Sequence, residues 1–335
     1  MQRICVIGGS RYFGKLLVKR LHAAGHQVTV INRGSTRPPA GVDHLVVDRD
    51  DEAALTAALG SRTFDAVVDQ VCYTPVQAAV AARAFAGRTR RYVMTSTIEV
   101  YDPATAALPT VPAGTPVPEE TVDPATWLVA LDLPWHDDAY LEAHYAEGKR
   151  QAEAVLTRAG GFAFASVRSA HVLGGADEFT GRLAHYTERI ARGEEVTVHA
   201  KALPTVFIHH EELADLLLWA ATAGFTGPVN ACSDDPLDVH GLAALVAVQA
   251  RREPVLRTVE AGEAGSPFSF DRHYAMSNAR AKELGFAFSR TTEWLPAAVA
   301  EALTREPSST TDPSLATEPS STTEPSPATE PSRTA

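Results

Sequence analysis

The sequence is poor in cysteine, has no long apolar run and carries no excess of positive charge. Its 335 residues include three cysteines, Cys5, Cys72 and Cys232, which lie too far apart for a disulfide framework or the paired spacing of a zinc site. We therefore expect buried thiols in a reducing compartment. No apolar run approaches the roughly 20 residues that span a bilayer, and a glycine stands at position 8, too early for a secretory signal. These absences predict a cytoplasmic protein without a membrane segment.

The balance of charge narrows the classes of partner. The formal net charge is −11, which argues against binding along a nucleic-acid backbone. The histidines of the second half (His171, His185, His209 and His210) do not follow metal-ligand spacing, so we expect no metal site. A chain of this length with 45% hydrophobic residues can bury a large core and form more than one domain.

A glycine-rich turn near the N-terminus organises the first part of the chain. It follows the apolar run 4–7, precedes a helical pattern, and reads Gly8-Gly9-Ser10-Arg11-Tyr12-Phe13-Gly14. An unbroken apolar run is typical of a strand buried in a parallel sheet. Glycine lets the backbone approach a pyrophosphate, and the start of a helix offers free N–H groups. With a second strand at 27–31, the pattern predicts a dinucleotide-binding crevice, the alternative being an ordinary turn in a nucleotide-free α/β protein.

The remaining patterns predict an α/β fold with a doubly wound parallel sheet of the Rossmann type. Further strands are expected at 44–47, 64–71, 91–97 and 162–167, with helices ending near 59 and covering 75–85 and 137–158. We expect this domain to cover residues 1–170. A smaller substrate-binding part is expected over 171–304, with helices near 180–191, 212–223 and 239–250. Repeats of the type EPSSTT fill 305–335, which predicts a disordered Pro/Ser/Thr/Glu tail.

The end of the second strand favours NADP, with NAD as the alternative. NAD-binding folds place an acidic residue there to bind the ribose 2′-hydroxyl, but this chain has Asn32 and Arg33. Arg33 is suited to a 2′-phosphate, and Arg11 adds a second cation; a solvated loop residue is the alternative for Arg33. Asp48, just after the third strand, could accept a hydrogen bond from the adenine amino group.

Two groups of polar residues follow the predicted fifth strand and suggest catalysis. Thr97, Glu99 and Tyr101 would lie on one side of the chain if the extended geometry continued past the strand. Tyr145 and Lys149, four residues apart, would share one face of a helix. We expect the ammonium to lower the pKa of the phenol from its usual value near 10, as proton transfer to or from a substrate hydroxyl requires.

Over residues 3–300, these motifs resemble an extended or atypical short-chain dehydrogenase/reductase of the NAD-dependent epimerase/dehydratase family. The resemblance rests on the glycine turn, Asp48, Thr97 four residues before Tyr101, the pair Tyr145 and Lys149, and the segment 207–214, FIHHEELA. It implies that Tyr145 is the catalytic acid/base, that Lys149 contacts the nicotinamide ribose, and that Thr97 orients the substrate. It also implies that the turn residues bind the cofactor.

Several positions depart from the family pattern. Arg11 replaces the third glycine, as in an atypical branch that includes chloroplast RNA-binding proteins. Thr205 stands where an arginine often contacts a sugar-nucleotide diphosphate, and Arg168-Ser169 replaces Arg-Pro. These differences argue against a nucleotide-sugar substrate. Glu99 matches the base of the Thr-Asp-Glu triplet in sugar 4,6-dehydratases, with Ile98 at the acid position; a surface carboxylate is the alternative.

The resemblance thus implies an oxidoreductase that moves a hydride at a secondary alcohol or ketone of a sugar or sugar-like small molecule. One alternative is a ketoreductase that consumes NADPH in net turnover. Another is an inactive family member that binds RNA. The expected partner is a small-molecule substrate, and a homodimer stays open.

Overall fold

The computed structural model describes residues 1–112 and 114–305. The strands of this part are β1 (Arg3–Ile7), β2 (Gln27–Asn32), β3 (Asp43–Val46), β4 (Ala66–Asp69), β5 (Arg91–Thr97), β6 (Ala163–Ser169), β7 (His171–Leu173), β8 (Glu195–His199), β9 (Phe207–His209), β10 (Gly227–Ala231) and β11 (Val255–Val259). The helices are α1 (Tyr12–Ala23), α2 (Glu52–Leu59), α3 (Pro75–Phe85), α4 (Asp138–Ala143), α5 (Tyr145–Arg158), α6 (Arg182–Arg192), α7 (His210–Thr222), α8 (Val239–Ala250), α9 (Ala279–Glu283) and α10 (Thr291–Leu303).

Seven strands form one parallel sheet in the order β10-β6-β5-β4-β1-β2-β3. The chain first winds outward from β1 through β2 to β3, then returns to the other side of β1 with β4. This reversal between β1 and β4 is the topological switch point, where open α/β sheets bind ligands outside the carboxyl ends of their strands. The predicted doubly wound Rossmann sheet is confirmed.

Helices cover both faces of the sheet because each strand sends alternate side chains to opposite faces. In β1, Ile4 and Val6 pack into one core with the apolar side of α1 and α7. Cys5 and Ile7 pack into the other core with α2, α3 and α5. All four side chains are at most 1% exposed, as the unbroken apolar run predicts for a strand buried on both faces. Cys5, Cys72 and Cys232 are buried free thiols, as their spacing predicts.

The smaller C-terminal part leaves the sheet at the carboxyl end of β6. Two short parallel pairs, β7 with β9 and β8 with β11, lie in this part. The main sheet also takes β10 from beyond residue 170, and α7 packs against α1. The proposed domain division at residue 170 stays a prediction. Within the described ranges no helix is long and apolar enough to cross a membrane. Of the predicted tail at 305–335, residues 306–335 lie outside the described residues.

Two local predictions were wrong. First, the extended geometry does not continue past β5: Thr97 caps a 3₁₀ turn, Ile98–Tyr101, and its hydroxyl accepts a hydrogen bond from the backbone N–H of Glu99 at 3.2 Å. Thr97, Glu99 and Tyr101 therefore do not share one strand face. Second, the predicted helix 137–158 is two helices, because His144 (φ −119°, ψ 25°) ends α4 and precedes α5.

Candidate functional site

The glycine turn adopts the geometry that a backbone needs for a close approach to an anion. Gly8 and Gly9 have φ angles of +95° and +75°, which favour glycine, and the Gly8 N–H donates to the Ile31 carbonyl at 2.8 Å. A Cβ on Gly9 would lie 2.9 Å from both Val6 and Val18, so a side chain there would displace α1 from β1. Ser10 and Gly14 complete the turn.

The start of α1 carries positive partial charge, and the first turn of the helix itself contains no acidic residue. Arg11 is the N-cap residue, but its side chain makes no capping hydrogen bond, and the first turn contains no Asp or Glu. The first N–H groups of a helix have no partner within the helix and face outward from its end. This end of α1 is therefore suited to a phosphate group.

Tyr12 and Phe13 contribute their backbone to this turn, but their rings pack away from it. Tyr12 has a φ angle of +48°, is 5% exposed and stacks on His210, with 5.6 Å between ring centroids. Its ring also meets Phe13 and Phe179 edge to face. The aromatic pair thus joins the turn to the C-terminal part rather than offering its rings to a cofactor.

Asn32 fixes the loop that follows β2. Its side-chain amide donates to Ser10 Oγ at 2.6 Å and to the Thr36 carbonyl, and its Oδ1 accepts from the Gly34 N–H and lies 2.9 Å from His44 Nε2. Through these contacts Asn32 links the glycine turn to the loop that follows β2.

Two arginines that directly follow Ser10 and Asn32 in the sequence are open to solvent. Arg11 and Arg33 are both exposed, and within residues 1–112 and 114–305 neither guanidinium has an ion-pair partner.

Asp48 is exposed after β3 and accepts a hydrogen bond from the Asp50 N–H at 3.0 Å. The neighbouring Arg49 points inward instead and forms a two-pronged pair with Asp69 at the end of β4, with N–O distances of 2.7 and 2.8 Å. Tyr92 also donates to Asp69, at 2.6 Å. Asp69 is fully buried, and its charge raises the pKa of Arg49 above the ordinary value although burial lowers it. This cluster ties the segment after β3 to the carboxyl end of β4.

Tyr145 and Thr97 meet at the carboxyl end of β5. Their hydroxyl groups share a hydrogen bond, which lowers the pKa of Tyr145. Burial has the larger effect, however, and together with Tyr73 and the charge of Glu99 it raises the pKa of the phenol well above 10. The expected lowering by Lys149 was therefore wrong for the protein without cofactor, where the phenol holds its proton at neutral pH.

Lys149 connects two strand ends beneath Tyr145. Its Nζ donates to the carbonyls of Cys72 at 2.9 Å and Thr95 at 3.0 Å, and it lies 4.5 Å from the centre of the Tyr73 ring and 5.8 Å from that of Tyr145. The side chain is 2% exposed, and burial lowers the pKa of the ammonium to about 8. At neutral pH this lysine is still mostly charged.

Tyr101 is buried and takes part in hydrogen bonds that hold the fold together. Its hydroxyl donates to Asn230 at 2.8 Å and accepts from Arg168 at 2.7 Å, inside the protein. It therefore lies among the buried contacts of β6 and β10, apart from the Tyr145 phenol.

A cleft of about 700 Å³ opens on the C-terminal side, between the loop 174–181, α6 and the segment 265–267. Arg182 lines this cleft, and its charge lowers the pKa of Tyr145. Ion pairs along the cleft are Lys15–Asp177, Arg189–Glu194, Arg192–Glu188 and Arg305–Glu301.

Comparison with known proteins agrees with the glycine turn and the sheet. The sequence model of the NAD dependent epimerase/dehydratase family matches residues 4–126. This part of the chain is therefore similar to that family. A curated relative, 2'-dehydrokanamycin reductase from Streptomyces kanamyceticus, is 34% identical over 160 residues, which are 47% of this chain and 42% of the relative. The chain thus matches less than half the length of that relative.

Solved structures of epimerases share the fold along most of the chain. UDP-glucose 4-epimerase from Thermotoga maritima, solved with UDP-glucose, is 17% identical with a TM-score of 0.67, covering 90% of this chain and 97% of its own. The Bordetella bronchiseptica enzyme WbmH in complex with NAD+ is 18% identical with a TM-score of 0.66, covering 92% and 99%. At these identities, the likeness to epimerase structures establishes the fold alone.

Sequence reasoning missed the residues at the carboxyl end of β4 and just after it. Gln70 lies against Gly14 of the family's glycine turn, Tyr73 covers Lys149, and Asp69 holds Arg49. A signal was present, because residues just after a strand next to β1 lie at the carboxyl edge of the sheet. The predicted strand 64–71 hid it by extending over these residues, whereas β4 ends at Asp69.

Proposed function

We propose that this protein is an NAD(P)-dependent oxidoreductase of the short-chain dehydrogenase/reductase type. It transfers a hydride at a secondary alcohol or ketone of a sugar or sugar-like small molecule. The observation that carries this proposal is the grouping of three side chains: Thr97 hydrogen-bonds the Tyr145 phenol, and the Lys149 ammonium lies 5.8 Å from the centre of the phenol ring. The name of the curated reductase supports net reduction over the transient hydride transfer of an epimerase or dehydratase.

The residues of the glycine turn fit a dinucleotide. Gly8 and Gly9 have the required backbone angles, and α1 begins without an acidic residue. In this proposal the turn and α1 hold the pyrophosphate, Asp48 faces the adenine, and Lys149 holds the nicotinamide ribose. The bound cofactor would supply or accept the hydride.

Tyr145 acts as the proton donor in the direction of reduction. Its pKa is raised by burial, so the phenol is protonated at neutral pH and can give its proton to the substrate oxygen as negative charge develops there. Thr97 orients that oxygen through its hydroxyl. Lys149 stays mostly charged and stabilises the phenolate that remains.

The substrate cleft offers little support for a sugar-nucleotide diphosphate. Thr205 stands where an arginine often contacts a sugar-nucleotide diphosphate in the epimerase/dehydratase family. Its side chain is fully buried, and its hydroxyl donates to the Tyr274 carbonyl at 2.6 Å. The cleft arginines Arg189, Arg192 and Arg305 are each within 4 Å of a glutamate. Binding a diphosphate would require these pairs to open, so we favour a substrate without one.

Arg33→Ala is expected to weaken NADPH binding about 10-fold to 100-fold and to leave NADH binding nearly unchanged. The physical reason is that the exposed guanidinium is free to pair with a 2′-phosphate, and hydrogen bonds to charged groups contribute about 1.5–3 kcal/mol. Equilibrium titration of both cofactors measures the two affinities. Arg62→Ala, an exposed arginine after α2, is the control. Tighter binding of NADH than of NADPH by the wild type would contradict the assignment.

Glu99→Gln is expected to preserve reduction by NADPH, because we assign no proton transfer to this carboxylate. Its charge raises the pKa of Tyr145, so the variant should lose activity at a lower alkaline pH than the wild type. The pH profile of turnover, with mass spectrometry of the product formed in D₂O, tests both points. If the wild type incorporates deuterium at the carbon next to the carbonyl and the variant does not, Glu99 is a base. The epimerase or dehydratase alternative would then be favoured.

A further inference from the structure

Gln70 is tied to the glycine turn by its backbone. It is the first residue after β4, and its N–H donates to the carbonyl of Ile7 at 3.0 Å. Ile7 is the last residue of β1 and directly precedes Gly8. Gln70 is thus held at the switch point of the sheet, beside the turn that we assign to the cofactor.

The side chain of Gln70 lies against the turn on the α1 side. Along β4, Val68 packs with Val6 in the core that α1 covers, whereas Asp69 points to the opposite face and holds Arg49. Alternation returns Gln70 to the α1 face. A Cβ on Gly14 would collide with Gln70 Oε1, and a Cβ on Gly8 would lie 3.5 Å from Gln70 Cβ. The absence of a side chain at Gly14 is what makes room for this amide.

The amide nitrogen of Gln70 has no acceptor. Within the described residues, Nε2 is buried and makes no hydrogen bond. Two other partly or fully buried glutamines use both ends of their amides: Gln77 accepts from the Tyr73 N–H and donates to Asp50, and Gln151 accepts from the Ala130 N–H and donates to Glu147. A buried donor without a partner costs about 1–3 kcal/mol. Such a group beside an anion site calls for an explanation.

We propose that Gln70 binds the pyrophosphate of the dinucleotide by donating from Nε2 to a phosphate oxygen. This inference rests on the proposed cofactor. The phosphate held at the start of α1 supplies the acceptor that the amide lacks, and a turn about the soft terminal torsion of the side chain directs the nitrogen to it. Because NAD and NADP both contain the pyrophosphate, this hydrogen bond adds affinity for both and does not discriminate between them.

The test compares a ligand that contains the pyrophosphate with one that does not. We expect Gln70→Leu, which keeps the bulk and removes the donor, to weaken NADPH binding about 10-fold to 100-fold. Gln70→Glu should weaken it at least as much, because a carboxylate would face the phosphate. The affinity for 2′-AMP, which has the adenosine phosphate but no pyrophosphate, should stay unchanged in both variants. Fluorescence titration of NADPH and its displacement by 2′-AMP give these values.

Gln27→Leu is the matched control, because Gln27 is exposed at the amino end of β2, away from the carboxyl edge. Circular dichroism of the cofactor-free proteins checks folding. If Gln70→Leu does not fold, the affinities are measured with Gln70→Glu, whose side chain has the same shape as that of glutamine. Unchanged NADPH affinity in a folded variant overturns the inference, as does an equal loss of affinity for 2′-AMP. A wild type that binds neither dinucleotide contradicts the proposed function itself, so the two failures are distinguishable.

Discussion

Tyr145→Phe is expected to lower the rate of carbonyl reduction by about 10² to 10⁴, the usual contribution of a positioned acid or base. The variant keeps the ring beside Tyr73 and loses only the hydroxyl that bonds Thr97. Single-turnover consumption of bound NADPH, measured with a panel of ketones, reports the chemical step directly.

Tyr140→Phe is the matched control for this experiment. Tyr140 lies five residues earlier in α4, with its ring stacked on His144 at 3.9 Å, and we assign no proton transfer to it. NADPH affinity should be the same in both variants and in the wild type. A Tyr145→Phe enzyme as fast as the Tyr140→Phe enzyme would exclude the phenol as the proton donor.

Glu153→Gln is expected to lower the free energy of unfolding by about 3–5 kcal/mol, because it leaves a buried guanidinium without its counter-charge. Glu153 and Arg168 are both completely buried and pair at 2.7 Å. Arg168 also donates to the carbonyls of Glu119 and Val122, so the pair holds the proline-rich segment after β5 to the sheet. Urea denaturation of the purified protein measures the loss.

Two comparisons isolate this effect. Glu52→Gln breaks a solvent-exposed pair with Arg83 and should hardly move the unfolding midpoint. The double variant Glu153→Met with Arg168→Met removes both buried charges and should recover part of the lost stability. Equal midpoints for Glu153→Gln and Glu52→Gln would show that the buried pair does not stabilise the fold.

The Rossmann sheet could be predicted because its signals are local. Apolar runs mark the strands, and the predicted strand 91–97 and helix 75–85 coincide with β5 and α3. The glycine turn, Tyr145 and Lys149 were found for the same reason, since their types and spacing lie within one short segment each. The resemblance to the epimerase/dehydratase family rests on the same residues, and the family model matches residues 4–126.

The environment of the site could not be predicted, because it depends on contacts between distant segments. Asp69 meets Arg49 from 20 positions away, and Lys149 reaches the Cys72 carbonyl across 77. The upward shift in the pKa of Tyr145 is of this kind, since burial is a property of the folded protein. The break at His144 was missed because the residues around it continue a helical pattern.

That break sets α4 apart from the packed interior. The fold is secured through α5, where Lys149, Arg150 and Glu153 are buried, whereas α4 contains no buried residue. Because one residue, His144, closes α4 and opens α5, the six residues of α4 can be replaced without changing the helical register of Tyr145 and Lys149. Exchange of the segment 138–143 can therefore measure what α4 contributes to activity while the interior keeps its packing.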